Sequence, residues 1–193
     1  MIQPVLPLIL ASGSPRRREL LDLMGLTYTV ETPDVDESFS GRPSETVMEI
    51  SRRKAAAVAA RHSASIIIAA DTLVFADGAL GKPHTPERAA QMLRRLSGTH
   101  HTVYTGIAVA RGERMTVECE GSRVCFRELS EDDIGRYVAT GEPLDKAGAY
   151  GIQERGSIFV SGIEGDYFNI VGLPVCRLAE VLRRDFGYDI LGD

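Results

Sequence analysis

A run of three arginines, Arg16–Arg18, follows a short Ser-Gly-Ser-Pro loop that comes after an apolar segment. Ser14 is a favourable N-cap residue and Pro15 suits the first helical position, so the pattern predicts that a helix begins here. Each cation at a helix N-terminus costs about 0.3–1 kcal/mol on an exposed helix. A bound anion would reverse that cost, because the backbone N–H groups, hydroxyls and guanidinium groups would all contact it. The segment therefore predicts a phosphate-binding loop, with an Arg-rich surface helix as the alternative.

Two lysines and two carboxylates could complete such a site. Asp71 follows the buried apolar run at 65–70, and a carboxylate at the end of a buried strand is costly unless it has a role. Lys54 interrupts the apolar face of a predicted helix, where it either extends to the helix edge, the commoner outcome, or is held inward by a partner. Lys82 lies in a Gly-Lys-Pro loop and Glu37 lies in an acidic loop.

These residue types suit attack of water on a phosphate chain. Cations can bind a polyphosphate and neutralise charge in the transition state, and carboxylates can bind a divalent metal or orient a water. A covalent nucleophile is not expected, because the sequence has no Gly-x-Ser-x-Gly motif and no cysteine close to a histidine. The four histidines are interpreted as loop and strand-edge residues.

The elements that would position these residues alternate between strands and helices. Apolar runs and alternating patterns predict strands at 5–11, 26–30, 65–70, 101–110 and 115–126, and hairpins at 74–80 and at 158–171. Capping signals and apolar periodicity predict helices at 15–24, 43–61, 86–97, 131–140 and from 174 onward. This order favours an α/β fold in a single domain over residues 1–193, with the antiparallel middle segment as a second lobe and no linker.

The composition narrows the function classes. The net charge of −5 argues against general nucleic-acid binding, and no apolar run approaches the ~20 residues of a membrane span. The first apolar segment lacks a basic flank and is short, so it is interpreted as a strand rather than a secretion signal. The three cysteines have no metal-ligand spacing and are expected to be reduced thiols packed in the core of a cytoplasmic protein.

Six motifs, in this order and spacing, closely resemble those of the Maf family. They are Leu10-Ala-Ser-Gly-Ser-Pro-Arg-Arg17, Asp36-Glu37-Ser38, Lys54-Ala55, Ala70-Asp71-Thr72, Gly81-Lys82-Pro83 and Asp145-Lys-Ala-Gly-Ala-Tyr-Gly-Ile-Gln153. The resemblance implies a two-lobed mixed α/β sheet with flanking helices around a deep cleft, similar to inosine triphosphate pyrophosphatases. It also implies a cytoplasmic homodimer that hydrolyses nucleoside triphosphates between the α and β phosphates with a divalent metal.

The resemblance also implies a role for each candidate site residue. Asp71 matches the proton acceptor that activates water, and Lys54 and Lys82 match charged catalytic positions. Glu37 matches an acidic position expected to bind Mg²⁺, Mn²⁺ or Co²⁺ together with Asp71. The triphosphate would bind at Ser12, Gly13, Ser14, Arg16 and Arg17. For Lys54, this outweighs the expectation from the helix pattern alone.

Base choice is implied by three of these positions, Arg16, Thr72 and Gln153. One branch of the family has Trp, Gln and Glu there and resembles enzymes for 7-methyl-GTP, whereas Arg, Thr and Gln resemble enzymes for dTTP and UTP. This chain has the second set.

Two alternatives remain open at this point. One is a broader house-cleaning pyrophosphatase that removes modified nucleotides. The other is a nucleotide-sensing regulator of cell division, which would need the phosphate-binding cations but not a carboxylate positioned for water.

Overall fold

The computed structural model describes residues 6–192, and seven strands and six α-helices are found among them. The strands are β1 Leu8–Leu10, β2 Tyr28–Val30, β3 Ile66–Phe75, β4 Ala79–Leu80, β5 His100–Arg111, β6 Arg114–Phe126 and β7 Val160–Glu164. The helices are α1 Pro15–Leu23, α2 Pro43–Ala59, α3 Pro86–Leu96, α4 Glu131–Ala139, α5 Tyr167–Val171 and α6 Val175–Phe186. Short 3-10 helices occupy Glu142–Asp145, Ala147–Ala149 and Arg155–Phe159.

The strands form a mixed sheet in the order β2-β1-β3-β5-β6-β7, with β4 paired to β3. β1 runs parallel to both β2 and β3, whereas the β3–β4 and β6–β7 pairs are antiparallel. The predicted α/β class is therefore confirmed. The chain divides into two compact units, the second comprising Thr72–Tyr104 and Gly121–Val171 and the first comprising the remaining described residues.

The first unit is organised around β1, whose three residues are all buried. Helix α2 packs very close to β5, since a Cβ added to Gly106 would lie 2.4 Å from the backbone carbonyl carbon of Val47. Only glycine allows this approach of helix to strand. The contact matters for the site because α2 also carries Lys54.

The second unit has a core of aromatic and aliphatic side chains beneath α3 and α4. His101 lies within this core at 2% exposure, with its Nε2 2.8 Å from the hydroxyl of Tyr150. Burial lowers the pKa of His101 to about 4. The interpretation of all four histidines as loop or strand-edge residues is therefore wrong for His101, which is a neutral core residue.

Most predicted boundaries are confirmed because they depend on local capping. Thr85 accepts a hydrogen bond from the Arg88 N–H at the start of α3, and Ser130 forms a capping box with Asp133 at the start of α4. Gly25 follows α1 in the left-handed region, at φ 70°. Position 5, which the first predicted strand included, lies outside the described residues.

Three further expectations about the fold are wrong. β3 does not end at residue 70 but continues through Asp71 to Phe75. Lys54 pairs with the Asp71 carboxylate, and this offsets the free-energy cost of burying a charge within the strand. The hairpin predicted over 158–171 is a 3-10 helix followed by β7 and α5, since Asp166 accepts a hydrogen bond from the Phe168 N–H and starts a helix there. None of the cysteines is in the core: Cys119 and Cys125 are half-buried, and Cys176 is exposed.

Among residues 6–192, no helix combines the length and apolar character that crossing a membrane requires.

Candidate functional site

The Ser-Gly-Ser loop leaves the sheet between two parallel neighbours and turns directly into α1. The Ala11 N–H donates to the Ile68 carbonyl at 2.8 Å, which fixes the last residue before the loop against β3. Ser12 is buried, and its hydroxyl accepts hydrogen bonds from the Ser14 N–H at 3.2 Å and from Arg17 Nη1 at 3.1 Å. Ser14 occupies the predicted N-cap position, but its side chain makes no capping hydrogen bond.

The arginines lie where the sequence predicts, in the first turn of α1. Arg17 is half-buried, and its Nε donates to the Gly172 carbonyl at 2.9 Å. Burial lowers the pKa of Arg17 from its ordinary value, although a guanidinium stays charged in proteins. Arg16 is half-buried beside it, and the first turn of α1 contains no acidic residue. The helix N-terminus and two cations thus concentrate positive charge at a place suited to binding an anion.

Lys54 is held inward by two carboxylates rather than extending to the helix edge. It is buried, and its Nζ lies 2.8 Å from Asp71 Oδ1 and 2.8 Å from Glu37 Oε1. The Asp71 side chain is 15% exposed and that of Glu37 is 61% exposed. The expectation from the helix pattern alone, that Lys54 would extend to the edge, is therefore wrong. The alternative of a partner-held lysine is confirmed.

Burial raises the pKa of Asp71 above that of an ordinary aspartate, and this effect outweighs the lowering by Lys54 and Arg17. A carboxylate with a raised pKa is a stronger base, which favours its use in proton transfer near neutral pH. The charges of Arg17 and Asp71 act on each other, so the arginine turn and the carboxylates belong to one electrostatic site in the first unit.

The remaining candidates belong to the second unit. Thr72 follows Asp71 in β3, and Lys82 is exposed in the loop after β4. That loop is fixed by two backbone hydrogen bonds, from the Gly148 N–H to the Gly81 carbonyl at 3.3 Å and from the His84 N–H to the Leu144 carbonyl at 3.1 Å. The structure therefore places the Lys82 loop beside the segment that leads to Gln153.

Gln153 is exposed, but the loop that carries it is anchored on both sides. Before it, the Gly151 N–H donates to the Tyr137 hydroxyl at 3.2 Å. After it, the Gly156 N–H donates to Glu142 Oε1 at 3.0 Å, and the same oxygen accepts from the Tyr137 hydroxyl at 2.8 Å. The buried Tyr137 and the half-buried Glu142 thus fix the backbone on either side of the exposed Gln153 side chain.

A divalent metal is compatible with these carboxylates. No group of three or more His, Cys, Asp or Glu side chains able to hold a metal occurs within the described part of the chain. Glu37 and Asp71 nevertheless place two carboxylates around one cation, the Lys54 ammonium. Mg²⁺ is commonly bound through one or two carboxylates together with phosphate oxygens of a ligand, so this pair fits a metal that a bound phosphate also contacts.

Sequence reasoning missed Arg53, which contacts the acidic loop through that loop's backbone carbonyls. The spacing of Glu49 and Arg53 does predict a helical ion pair, and that pair is present at 2.8 Å. Contacts to carbonyl groups some 15–17 residues away leave no pattern in the sequence.

Comparison with known proteins identifies close relatives over almost the whole chain. Residues 7–185 match the family model described as Maf-like protein. The dTTP/UTP pyrophosphatase of Pelotomaculum thermopropionicum is 52% identical over 189 residues, which covers 95% of this chain and 98% of that protein. The dTTP/UTP pyrophosphatase of Moorella thermoacetica is 52% identical over 190 residues, covering 96% and 97%. Among solved structures, the Ham1 protein of Staphylococcus aureus matches with a TM-score of 0.49 at 16% identity, covering 78% of this chain and 89% of that one.

Proposed function

Because the chain belongs to the Maf family, we propose that it hydrolyses dTTP and UTP between the α and β phosphates, releasing a nucleoside monophosphate and pyrophosphate. Relatives named dTTP/UTP pyrophosphatase, at 52% identity over nearly their full lengths, support this substrate class. The observation that carries the proposal is the Lys54 ammonium, which two carboxylates share at 2.8 Å each beside the charge of Arg17.

Asp71 accepts the proton of the attacking water in this proposal. Its raised pKa and its burial suit a general base, which typically contributes about 10²–10⁴-fold to the rate. Lys54 keeps the carboxylate oriented through a 2.8 Å contact, and its positive charge offsets the negative charge that accumulates around the phosphates.

The triphosphate binds at the start of α1. The backbone N–H groups of the loop at 12–14, the Ser12 and Ser14 hydroxyls and the guanidinium groups of Arg16 and Arg17 supply donors for phosphate oxygens. The family resemblance assigns Lys82 a charged catalytic role as well. Asp71 and Glu37 would hold the divalent metal, Mg²⁺, Mn²⁺ or Co²⁺, which when bound neutralises phosphate charge and polarises the phosphoryl oxygens.

Arg16, Thr72 and Gln153 select the base. The Gln153 amide can both donate and accept, which matches the alternating carbonyl and N3–H groups of uracil and thymine. CTP presents an amino donor and an unprotonated N3 instead, so an amide held in the orientation that pairs with uracil would meet like groups, donor to donor and acceptor to acceptor, and CTP is disfavoured.

The deciding experiment is a panel of normal and modified nucleoside triphosphates assayed for pyrophosphate release with Mg²⁺, Mn²⁺ and Co²⁺. Preferred turnover of dTTP and UTP is expected. Equal turnover across modified nucleotides would favour the broader house-cleaning activity. Tight nucleotide binding without turnover in the presence of metal would favour the nucleotide-sensing regulator.

We also propose that the protein acts as a homodimer in the cytoplasm. The cysteines described in the structure are all free thiols, which supports a reducing compartment. The dimer rests on resemblance to the family, and light scattering on the purified protein tests it directly.

A further inference from the structure

Arg53 lies next to Lys54 on α2 and contacts the acidic loop that carries Glu37. Its Nη1 donates to the carbonyl of Asp36 at 2.9 Å and to the carbonyl of Ser38 at 2.9 Å, so one guanidinium nitrogen joins the residues on both sides of Glu37. This holds the backbone of the loop against α2, the helix from which Lys54 contacts the Glu37 carboxylate.

The guanidinium is itself fixed. Its Nε donates to Glu49 Oε1 at 2.8 Å, one helical turn earlier on α2, and its Cζ lies 5.9 Å from the centre of the Phe39 ring. The Arg53 side chain is 29% exposed, which is low for an arginine on a helix surface. Arg53 is therefore anchored to α2 through Glu49, outside the loop, as well as to the loop itself.

The loop needs such a support. Within it, Asp36 accepts hydrogen bonds from the N–H and the hydroxyl of Ser38, at 2.8 and 2.7 Å. These bonds shape the turn, but they do not attach it to α2. The Glu37 side chain is 61% exposed, so burial alone does not hold its carboxylate in place. A fixed backbone on either side favours its 2.8 Å contact with Lys54.

We propose that Arg53 is a positioning residue for Glu37, and that it presents this carboxylate to the divalent metal that accompanies the triphosphate. The inference rests on the proposed function. Residues that orient a metal ligand without contacting the metal themselves typically account for about 10–100-fold in metal affinity or activity. Lysine cannot replace Arg53 fully, because its ammonium lacks the planar fork that allows the guanidinium to contact Glu49 and two carbonyls at once.

The test measures Mn²⁺ binding by calorimetry in the presence of a UTP analogue with a non-hydrolysable α,β linkage. Arg53→Ala is expected to weaken Mn²⁺ binding about 10–100-fold, and Arg53→Lys is expected to fall between Arg53→Ala and the wild type. Arg52→Ala is the matched control: Arg52 pairs with the same Glu49 at 2.7 Å but is 50% exposed, and its loss is expected to leave Mn²⁺ affinity unchanged.

A double-mutant cycle separates positioning from a general structural effect. If Arg53 acts through Glu37, Arg53→Ala has little further effect on Mn²⁺ affinity in a Glu37→Gln background. Additive losses, unchanged Mn²⁺ affinity in Arg53→Ala, or an equal loss in Arg52→Ala would each overturn the proposal. Should Arg53→Ala fail to fold, Arg53→Lys carries the same cycle.

Pyrophosphate release from UTP by the wild type is measured in parallel. Its absence would refute the proposed function, whereas the Mn²⁺ titrations judge the role of Arg53 by binding alone.

Discussion

The candidate residues form two groups, one in each unit, that differ in burial and in charge. In the first unit, the charged residues Arg17, Lys54 and Asp71 are buried or half-buried and contact one another or the backbone directly. In the second unit, Gln153 is exposed and neutral, and only the backbone around it is fixed. Under the proposed function, phosphate chemistry therefore depends on a buried charged cluster, whereas base selection depends on one exposed side chain on an anchored loop.

This difference follows from the strong interactions between buried charges and from the free-energy cost of burying them. Fixed charges at low dielectric interact strongly with a developing phosphate charge, but each buried charge must also be paired. Base recognition needs hydrogen bonds of matched polarity, which an exposed amide provides without the cost of burying a charge. Changes at Arg17, Lys54 or Asp71 should therefore affect all nucleotides alike, and changes at Gln153 should affect them unequally.

The largest effect is expected at the first group, from Asp71→Asn. This change is expected to lower kcat about 10²–10⁴-fold, because the amide cannot accept the proton of water, while UTP binding persists. Steady-state pyrophosphate release and calorimetric UTP binding check the two halves. Turnover at the wild-type rate would remove Asp71 from the mechanism.

The second unit contains its own buried ionisable group, which links its stability to pH. His101 has a folded pKa of about 4, below the 6.5 of a free histidine, so the unfolded state binds the proton more readily. The stability that His101 contributes is present above pH 6.5 and is lost as the pH falls toward 4, by about 3 kcal/mol in total.

Urea denaturation between pH 4 and pH 7 measures this loss. His101→Gln is expected to flatten the dependence on pH, and the adjacent His100→Gln, at an exposed position of β5, is the matched control. An unchanged slope in His101→Gln would show that other groups govern acid destabilisation.

Arg17→Ala tests whether the first group acts on the phosphates. The variant is expected to raise KM for UTP and CTP by the same factor, about 10–100-fold, since a hydrogen bond to a charged group contributes roughly 1.5–3 kcal/mol. The helix position alone predicts no loss of stability, but Arg17 also bonds Gly172 and Ser12, so a lower Tm is expected too. A lower Tm with unchanged KM would assign Arg17 a structural role only.

Tyr137→Phe tests the anchoring of the second group. Removing the hydroxyl takes away the acceptor of the Gly151 N–H and one donor to Glu142 Oε1. The loop that carries Gln153 should then be held less firmly. The UTP to CTP ratio of kcat/KM is expected to fall roughly 2–10-fold, the value of one hydrogen bond. Tyr28→Phe makes the same chemical change in the first unit, where the hydroxyl bonds Asp22, and should leave the ratio unaltered.

The strand, loop and helix start at 8–15 were predictable because their signals are local: an apolar run, then Ser14 and Pro15 at a helix start. The inward position of Lys54 was not, because its partners lie 17 residues away on either side and only the folded chain brings them to one nitrogen. The same holds for Arg53, whose contacts are backbone carbonyls. The hairpin predicted over 158–171 was wrong for a different reason: the Asp166 side chain caps a helix there, and this outweighs the strand pattern.

The proposed division of roles assigns phosphate chemistry to Asp71 and base selection to Gln153. Its most direct test is kcat/KM for UTP and CTP in the wild type, Asp71→Asn and Gln153→Glu under the same conditions. The account predicts that Asp71→Asn lowers both values by one factor and leaves their ratio unchanged. It predicts that Gln153→Glu lowers the ratio of UTP to CTP, because an ionised carboxylate cannot donate to a uracil carbonyl, whereas it can accept from the cytosine amino group. A Gln153→Glu variant with the wild-type ratio would contradict the account.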